Sequence, residues 1–247
     1  MTTKLHDWLI PNWSAPANIK AITTTRRGGV SQAPFDSMNL GAHVDDDFNS
    51  VQKNRQILAE SLELAESPIW LNQIHSNLVS NLDDEKPLID ADASVTTTQG
   101  KTCVVMTADC LPVLFCNQAG TAVAASHAGW RGLHTGILEK TVNSMNEKPE
   151  NILAWLGPAI GSTAFEVGGE VRQAFMDVQA QAEQAFQERD NSKWLADIYL
   201  LAKQRLNAMG VQQVFGGGEC TYSDTKRFYS YRREAKTGRM ASLIWIA

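Results

Sequence analysis

Cys110 and His127 flank a predicted β-hairpin, and their side chains could act together on one metal ion or one substrate. Residues 111–116 and 121–126 are apolar, and the four residues between them are typical of a turn. With the two middle residues at the tip, Cys110 lies opposite His127, and their Cβ atoms are about 4.5–5.5 Å apart. That distance suits either a shared metal ion or a Cys–His catalytic pair. A slip of one residue would turn His127 to the other face.

His75 is a third side chain of the same kind. It ends a predicted extended run, residues 70–75, in which Gln73 and His75 share a face. Two histidines and one cysteine with an open position form a known catalytic zinc site. Two alternatives stay open: Cys110 as a buried hydrophobic residue beside histidines that bind main-chain groups, or Cys110 as a nucleophile. Asp109 is predicted either to orient a ligand histidine or to cap a turn.

A candidate anion site follows His127 directly. Residues 129–132 lie where a strand runs into a predicted helix over 130–145, and the free N–H groups of a helix start attract anions. Arg131 could add a two-point contact to phosphate. It could equally lie on the surface, with the glycines serving close packing. Further basic candidates are Arg26, Arg27, Arg232 and Arg233.

Hydrophobic periodicity predicts a chain that mixes strands and helices. Predicted strands are 19–25, 91–98, 102–106, 111–116, 121–126, 152–156, 213–215, 227–231 and 240–246. Predicted helices begin near Asp47 and cover 130–145, 170–186 and 194–209. Because strands and helices do not alternate strictly, we expect an α+β fold in which mixed β-sheets form a sandwich-like core flanked by helices. We expect one domain over residues 1–247.

The composition is that of an ordinary globular chain. Its 247 residues, 43% of them hydrophobic, suffice for a sizeable core. A net charge of −5 argues against nucleic-acid binding and means that an anionic substrate requires a local basic patch. No stretch approaches the roughly 18 apolar residues of a membrane span, and the N-terminal segment lacks the apolar core of a secretory signal. We therefore expect a cytoplasmic protein without membrane contact, whose four cysteines are reduced.

Seven short motifs distributed over the chain together resemble the YfiH family, also described as laccase-domain or polyphenol oxidase proteins. They are residues 24–31, 38–41, 72–76, 108–113, 127–132, 157–161 and 228–233. The resemblance implies a zinc site made of His75, Cys110 and His127. It also implies an α/β fold with mixed sheets, related to the cytotoxic-necrotizing-factor cysteine hydrolases.

The same resemblance implies a purine nucleoside phosphorylase that uses phosphate to cleave adenosine, inosine, guanosine and methylthioadenosine, with adenosine deamination as an accompanying activity. A close bacterial relative is described as a peptidoglycan editing factor that prevents misincorporation of serine for L-alanine. Purine nucleosides and phosphate are then the partners, Zn²⁺ is the cofactor, and Cys110 and His127 are catalytic. Asp109 is a further catalytic candidate, as the proton shuttle, which the resemblance does not identify. The expected substrate contacts are Arg26, Asn39, Gln73, Arg131 and Arg232.

Two other enzyme classes would use the same residues. A multicopper oxidase needs a His₂Cys copper site plus a histidine-rich cluster, and five histidines without a His-x-His pair do not supply both. A single copper ion in place of zinc stays open, because copper(II) binds most such sites more tightly. A cysteine hydrolase, with Cys110 as nucleophile and His127 as base, would fit an amidase acting on cell-wall precursors. Metal occupancy separates a cysteine hydrolase from a zinc enzyme, because a zinc-bound thiolate is a poor nucleophile.

Overall fold

Twelve strands and six α-helices make up residues 7–247, the part of the chain that this computed structural model describes; the first six residues of the N-terminal segment lie outside it. The strands are β1 (Ile19–Thr23), β2 (Val79–Asn81), β3 (Ala93–Thr96), β4 (Thr102–Thr107), β5 (Leu111–Asn117), β6 (Val123–Ala128), β7 (Ile152–Leu156), β8 (Glu166–Gly168), β9 (Phe186–Glu188), β10 (Lys193–Ala196), β11 (Gln213–Gly216) and β12 (Met240–Ile246). The helices are α1 (Phe48–Ser61), α2 (Trp130–His134), α3 (Ile137–Ser144), α4 (Gly169–Val178), α5 (Ile198–Met209) and α6 (Tyr231–Glu234). Two 3₁₀ helices cover Pro149–Asn151 and Ala180–Ala185. Within residues 7–247, no helix has the length and apolar character that crossing a bilayer requires.

The strands form one six-stranded sheet and two three-stranded sheets. The largest has the order β11-β7-β5-β6-β3-β2, with β11 parallel to β7, β2 parallel to β3, and the other neighbours antiparallel. The second has the order β1-β12-β4 and the third β8-β10-β9, and both are antiparallel. Mixed sheets with helices that do not alternate confirm the predicted α+β class.

The six-stranded sheet is apolar on both faces, and this places it at the centre of the molecule. Every residue of β5 is buried. Leu114 packs toward β1, β4 and β12 on one face, whereas Val113 and Phe115 pack toward α3, α4 and α5 on the other. A third apolar cluster joins the outer face of the β1-β12-β4 sheet to Leu58 of α1. The layers therefore form two packed sheets flanked by helices, as the sequence predicts.

The hairpin of β5 and β6 has a longer turn than predicted. Pro112, rather than Cys110, lies opposite His127. The side chain of Asn117 accepts hydrogen bonds from the main-chain N–H groups of the two residues before β6, at 2.8 and 3.1 Å, and so holds the longer loop. Because the register differs by two residues, His127 keeps the predicted face, and Cys110 stays near it just before β5.

The helix predicted over residues 130–145 is two helices, α2 and α3. Gly136 separates them with a φ of 92°, in the left-handed region that glycine adopts readily. The predicted anion site at the helix start is weaker as a result. A helix of five residues aligns few peptide dipoles, so its first N–H groups carry little added positive potential.

Three further expectations in the second half of the chain are wrong. The helix predicted over 170–186 stops at Val178, and a 3₁₀ helix and β9 follow it. The helix predicted from Trp194 begins at Ile198, because residues 193–196 form β10 and Asp197 caps the helix by accepting the N–H of Leu200 at 2.9 Å. Residues 227–231 form no strand but an irregular segment that leads into α6.

Candidate metal centre and active-site pocket

His75, Cys110 and His127 converge on one point, although they come from three separate segments. His75 lies in the loop before β2, Cys110 in the turn between β4 and β5, and His127 within β6. One donor atom of each side chain lies within 4.8 Å of the other two, and Cys110 Sγ is 4.0 Å from His75 Nε2. The two imidazole rings meet edge to face with centroids 4.9 Å apart. The structure therefore brings together the three residues that the sequence predicts to lie close to one another.

The pKa values of Cys110 and His127 move in opposite directions. Burial alone would raise the pKa of the Cys110 thiol, but the charge of His127 and hydrogen bonds from both histidines hold it below its usual value. Burial alone would lower the pKa of His127, but the charge of Cys110 and the hydrogen bond to Asp92 raise it. The pair favours a thiolate at Cys110, which is the form that binds metal ions and the form that attacks electrophiles.

Asp92, to which the residue spacing does not point, holds His127 in place. It is fully buried directly before β3, and its Oδ1 accepts a hydrogen bond from His127 Nδ1 at 2.8 Å. With Nδ1 as the donor, Nε2 presents its lone pair to Cys110 and His75. A sequence signal does exist, because an aspartate inside the predicted strand 91–98 is a charge that must find partners if the strand is buried.

Gly129 leaves room for the other two ligands. A Cβ at this position would lie 3.0 Å from Cδ2 of His75 and 3.1 Å from Sγ of Cys110. Both distances are shorter than an ordinary van der Waals contact, so a larger residue would displace a ligand side chain. Of the two roles predicted for Gly129, part of an anion site or close packing, the structure supports close packing.

The donor set fits one transition-metal ion. A thiolate and two imidazoles suit Zn²⁺, which accepts three protein ligands and leaves a fourth position open at catalytic sites. Copper also accepts this donor set, whereas Mg²⁺ and Ca²⁺ prefer oxygen ligands. In the part of the chain that the structure describes, this is the one cluster of three or more histidine, cysteine or acidic side chains able to hold a metal ion.

The triad lies in the wall of a pocket of about 520 Å³. Its large apolar and aromatic lining residues are Met106, Trp130, Ile160, Phe165, Ile198 and Tyr231. Its arginine lining residues are Arg131, Arg232 and Arg239. These side chains form the local basic patch that an anionic substrate requires on a chain with a net charge of −5.

Three of the five expected substrate contacts line this pocket. Arg131 and Arg232 are exposed there. Gln73 lines it too, but its side-chain amide donates to the carbonyl of Met106 at 2.8 Å and accepts the N–H of Met106 at 2.7 Å. Both polar ends of Gln73 therefore hold the end of β4.

Arg26 and Asn39, the other two expected substrate contacts, do not line the pocket. The Arg26 guanidinium donates to the main-chain carbonyl of Asp36 at 3.1 Å and stacks over the ring of Tyr229, 4.9 Å from its centroid. Asn39 is fully buried, and its Oδ1 accepts the main-chain N–H of Arg239 at 2.9 Å. Both residues shape the loops around the pocket, because their polar groups bind main-chain groups and the acidic side chains of Asp36, Glu234 and Asp46.

Asp109 lines the pocket without touching a ligand histidine. Its φ is 86°, and its carboxylate accepts hydrogen bonds from Thr221 Oγ1 at 2.6 Å, Ser230 Oγ at 3.0 Å and the main-chain N–H of Arg232 at 2.6 Å. These bonds join the turn before β5 to the start of α6. The expectation that Asp109 orients a ligand histidine is wrong, since Asp92 does so.

Further polar lining residues that lie outside the predicted site residues include His43, Thr107 and Arg239. Burial lowers the pKa of Arg239, whose Nη1 donates to the main-chain carbonyls of Thr237 and Gly238. The Thr107 hydroxyl is buried and has no hydrogen-bond partner among residues 7–247. No local pattern marks these residues, because each comes from a different loop or strand end.

Comparison with known proteins places the chain in a family. The sequence model of a family described as multi-copper polyphenol oxidoreductase laccase matches residues 20–247. A purine nucleoside phosphorylase of Pseudomonas aeruginosa is 56% identical over 243 residues, which span 98% of this chain and 99% of the relative. The purine nucleoside phosphorylase YfiH of Escherichia coli is 56% identical over 239 residues, which span 96% and 98%. The chain belongs to the YfiH family.

Solved structures of the YfiH family share the fold. The crystal structure of a Neisseria meningitidis protein superposes with a TM-score of 0.92 at 50% identity and covers 97% of this chain and 99% of its own. That of the Bacillus licheniformis protein YfiH superposes with a TM-score of 0.87 at 28% identity and covers 93% of each chain. The predicted family and fold class are both confirmed.

Proposed function

We propose that this chain is a zinc-dependent purine nucleoside phosphorylase that cleaves adenosine, inosine, guanosine and methylthioadenosine to a purine and a ribose 1-phosphate. The observation that carries the proposal is the position of His75, Cys110 and His127 in the wall of a pocket that also presents arginines. The names of the relatives at 56% identity support the substrate class. A pocket of about 520 Å³ is of the size that small-molecule substrates occupy.

Phosphorolysis requires positive charge for phosphate and a surface for the purine. A phosphate oxygen forms a bond to C1′ of the ribose while the bond from C1′ to the purine nitrogen breaks. The electron pair of that bond goes to the purine, which takes up a proton. Arg131, Arg232 and Arg239 offer charge to the phosphate, and Trp130 and Phe165 offer aromatic faces to the purine. Positioning and fixed electrostatics supply the rate enhancement in this proposal.

Zinc is the proposed occupant of the triad because it suits mixed nitrogen and sulfur ligands with an open position. When bound, it supplies a Lewis acid and an activated water. Adenosine deamination, which requires attack of water on the adenine ring, is proposed as a second reaction of the same pocket. Copper at the triad would account for the laccase description of the family model. We place the enzyme in the cytoplasm, where nucleosides and phosphate are available.

Phosphate-dependent release of free base from a panel of nucleosides, with metal analysis of the same sample, tests the proposal. We expect base release that requires phosphate, together with one zinc ion per chain in protein prepared without added copper. Base release without phosphate, or full activity in metal-free protein, would contradict it. A panel in which no purine nucleoside reacts would remove the substrate class.

A cysteine hydrolase is the second candidate, and the arrangement of Cys110, His127 and Asp92 side by side favours it. His127 Nδ1 donates a hydrogen bond to Asp92, as the base of a nucleophile–base–acid triad does. An amidase of this type would fit the peptidoglycan-editing role. The same residues therefore serve either function. The two functions differ in whether Cys110 binds a catalytic zinc ion or acts as the nucleophile.

A Cys110→Asp variant and a strong chelator distinguish the two functions. A carboxylate binds zinc at about 2.0–2.2 Å but does not replace a thiolate in acyl transfer. If zinc is the working group, Cys110→Asp with added zinc keeps part of the phosphorolysis, and the chelator abolishes wild-type activity reversibly. If the thiolate is the nucleophile, the chelator spares the activity, and alkylation inactivates the enzyme fastest in metal-free protein.

A further inference from the structure

Asp92 collects five hydrogen bonds from two of the three ligand segments. Its Oδ1 accepts from His127 Nδ1 at 2.8 Å and from the main-chain N–H of His75 at 3.0 Å. Its Oδ2 accepts from the main-chain N–H groups of Ile74 and Ser76, at 3.2 and 2.6 Å, and from the Ser76 hydroxyl at 2.7 Å. One buried carboxylate thus binds the side chain of one predicted ligand and the main chain around the other.

The loop that carries His75 is folded around this carboxylate. Three consecutive N–H groups, from Ile74 to Ser76, point at Asp92. His75 itself has a φ of 59°, in the left-handed region that a histidine rarely adopts without support. The hydrogen bonds to Asp92 offset the cost of that conformation and turn the His75 ring toward Cys110.

We infer that Asp92 is the positioning residue that sets the metal affinity of the site, by holding both imidazole ligands in place at once. The inference rests on the proposed metal site. Asp92 makes no contact with substrate in this account and acts through His75 and His127. Groups that orient metal ligands from behind typically change metal affinity by about 10- to 100-fold when they are replaced.

A carboxylate is required at this position, because an amide of the same shape has one oxygen and cannot accept the hydrogen bonds of all five donors. If the oxygen of an asparagine accepts the three donors from Ile74 and Ser76, its NH₂ group faces His127 Nδ1. That arrangement forces the proton onto Nε2, and a protonated Nε2 does not bind a metal. In the opposite orientation the NH₂ group faces three donors, and the His75 loop loses its support.

The experiment measures zinc dissociation constants by chelator competition for the wild type, Asp92→Asn and a control, Ser94→Ala. Ser94 is also buried, lies two residues further along in β3, and is outside the Asp92 cluster. We expect Asp92→Asn to bind zinc about 10- to 100-fold more weakly and Ser94→Ala to bind as the wild type does. We expect the visible absorption bands of bound Co²⁺ to change in Asp92→Asn only. Urea unfolding of the metal-free proteins reports any general loss of stability.

The outcomes separate positioning from simple stabilisation. If Asp92→Asn lowers the unfolding free energy of the metal-free protein but binds zinc with wild-type affinity and wild-type Co²⁺ bands, the inference is overturned. If Asp92→Asn does not fold, Ser76→Ala takes its place, since it removes a single hydrogen bond to Asp92; we expect about threefold weaker zinc binding, and unchanged binding overturns the inference. If the wild type binds no zinc, the metal site fails and the role of Asp92 fails with it. If the wild type binds zinc and Asp92→Asn binds it equally well, the metal site stands and only the role of Asp92 fails.

Discussion

At the scale of single residues, polar side chains near the pocket divide into those that bind the protein itself and those available to a ligand. The Gln73 amide binds main-chain groups, the Asn39 amide binds main-chain groups and Asp46, and the Asp109 carboxylate binds Thr221 and α6. They shape the pocket without offering a free polar group to a ligand. Arg131 and Thr107 line the pocket and lead to two predictions.

Replacement of Arg131 by alanine should raise the KM for phosphate about tenfold or more, because a hydrogen bond to a charged group contributes about 1.5–3 kcal/mol. Arg131 stacks over the ring of Trp130, 4.4 Å from its centroid. Arg172→Ala is a matched control, since Arg172 stacks in the same way over Trp194 at 4.3 Å and does not line the pocket. Steady-state kinetics at varied phosphate decide the matter. An unchanged KM for phosphate in Arg131→Ala would mean that Arg131 lies on the surface without binding phosphate.

Thr107→Val should leave the KM for the nucleoside unchanged, because the Thr107 hydroxyl is buried beneath the surface of the pocket. Thermal stability should not fall, because the Thr107 hydroxyl has no partner in the described chain to lose. Thr102→Val is the control: Thr102 begins the same strand, is equally buried, has an unpartnered hydroxyl among the described residues, and does not line the pocket. A raised KM in Thr107→Val alone would show that the hydroxyl does contact substrate.

At the scale of elements, the site is built where strands end. Cys110 directly precedes β5, Asp92 directly precedes β3, and Gly129 lies between β6 and α2. Because β3, β5 and β6 are neighbours in one sheet, these positions are close in space although they are far apart in sequence. At the junction of β6 and α2, the side chains of His75 and Cys110 pack directly against Gly129.

Gly129→Ala should weaken zinc binding by about tenfold, comparable to the loss of a group that orients a ligand. The added methyl group would meet His75 at 3.0 Å and Cys110 at 3.1 Å, so one ligand must move. Gly169→Ala is the control, because a Cβ there meets only Trp194, at 3.9 Å. Zinc titration of both variants, with circular dichroism to verify folding, is the measurement. Wild-type affinity in Gly129→Ala would show that the site tolerates the methyl group.

At the scale of the whole molecule, two packed sheets must stay together, and Asp83 lies where they meet. Its carboxylate accepts hydrogen bonds from Thr96 and Thr97 at the end of β3, in the six-stranded sheet. It also lies 3.6 Å from the ammonium group of Lys101, which precedes β4 of the other sheet. Burial alone would raise the pKa of Asp83, but the bonds from Thr96 and Thr97 hold it well below its usual value.

Asp83→Asn should lower the unfolding free energy by about 1–2 kcal/mol at neutral pH. Because the folded pKa of Asp83 lies below the unfolded value near 3.8, its stabilisation is complete above that pH and is lost as the pH falls toward the folded pKa. The difference between wild type and variant should therefore shrink below about pH 4. Urea unfolding at pH 7, 5 and 3 checks this, with the exposed neighbour as control in Asp84→Asn. A difference that is constant with pH would rule out the carboxylate as its source.

The sequence by itself determined the chemistry of the site, because ligand preference belongs to residue type: His75, Cys110 and His127 are nitrogen and sulfur donors in any fold. It also determined elements whose pattern is local, such as the buried strand β5 and helix α1, whose N-cap Asp47 accepts the N–H of Ser50 at 2.7 Å. These features depend on neighbours within a few residues, so periodicity and capping rules describe them.

Only the tertiary structure decided which residues support the ligands. Asp92 meets His75 and His127 across separations of 17 and 35 residues, and such contacts leave no periodic trace in the sequence. The same holds for Arg26 and Asn39, whose polar side chains resemble substrate contacts until the main-chain groups that they bind are seen. The register of the β5–β6 hairpin likewise depends on the side chain of Asn117, because its amide binds two N–H groups of the longer loop and strand periodicity alone does not reveal that contact.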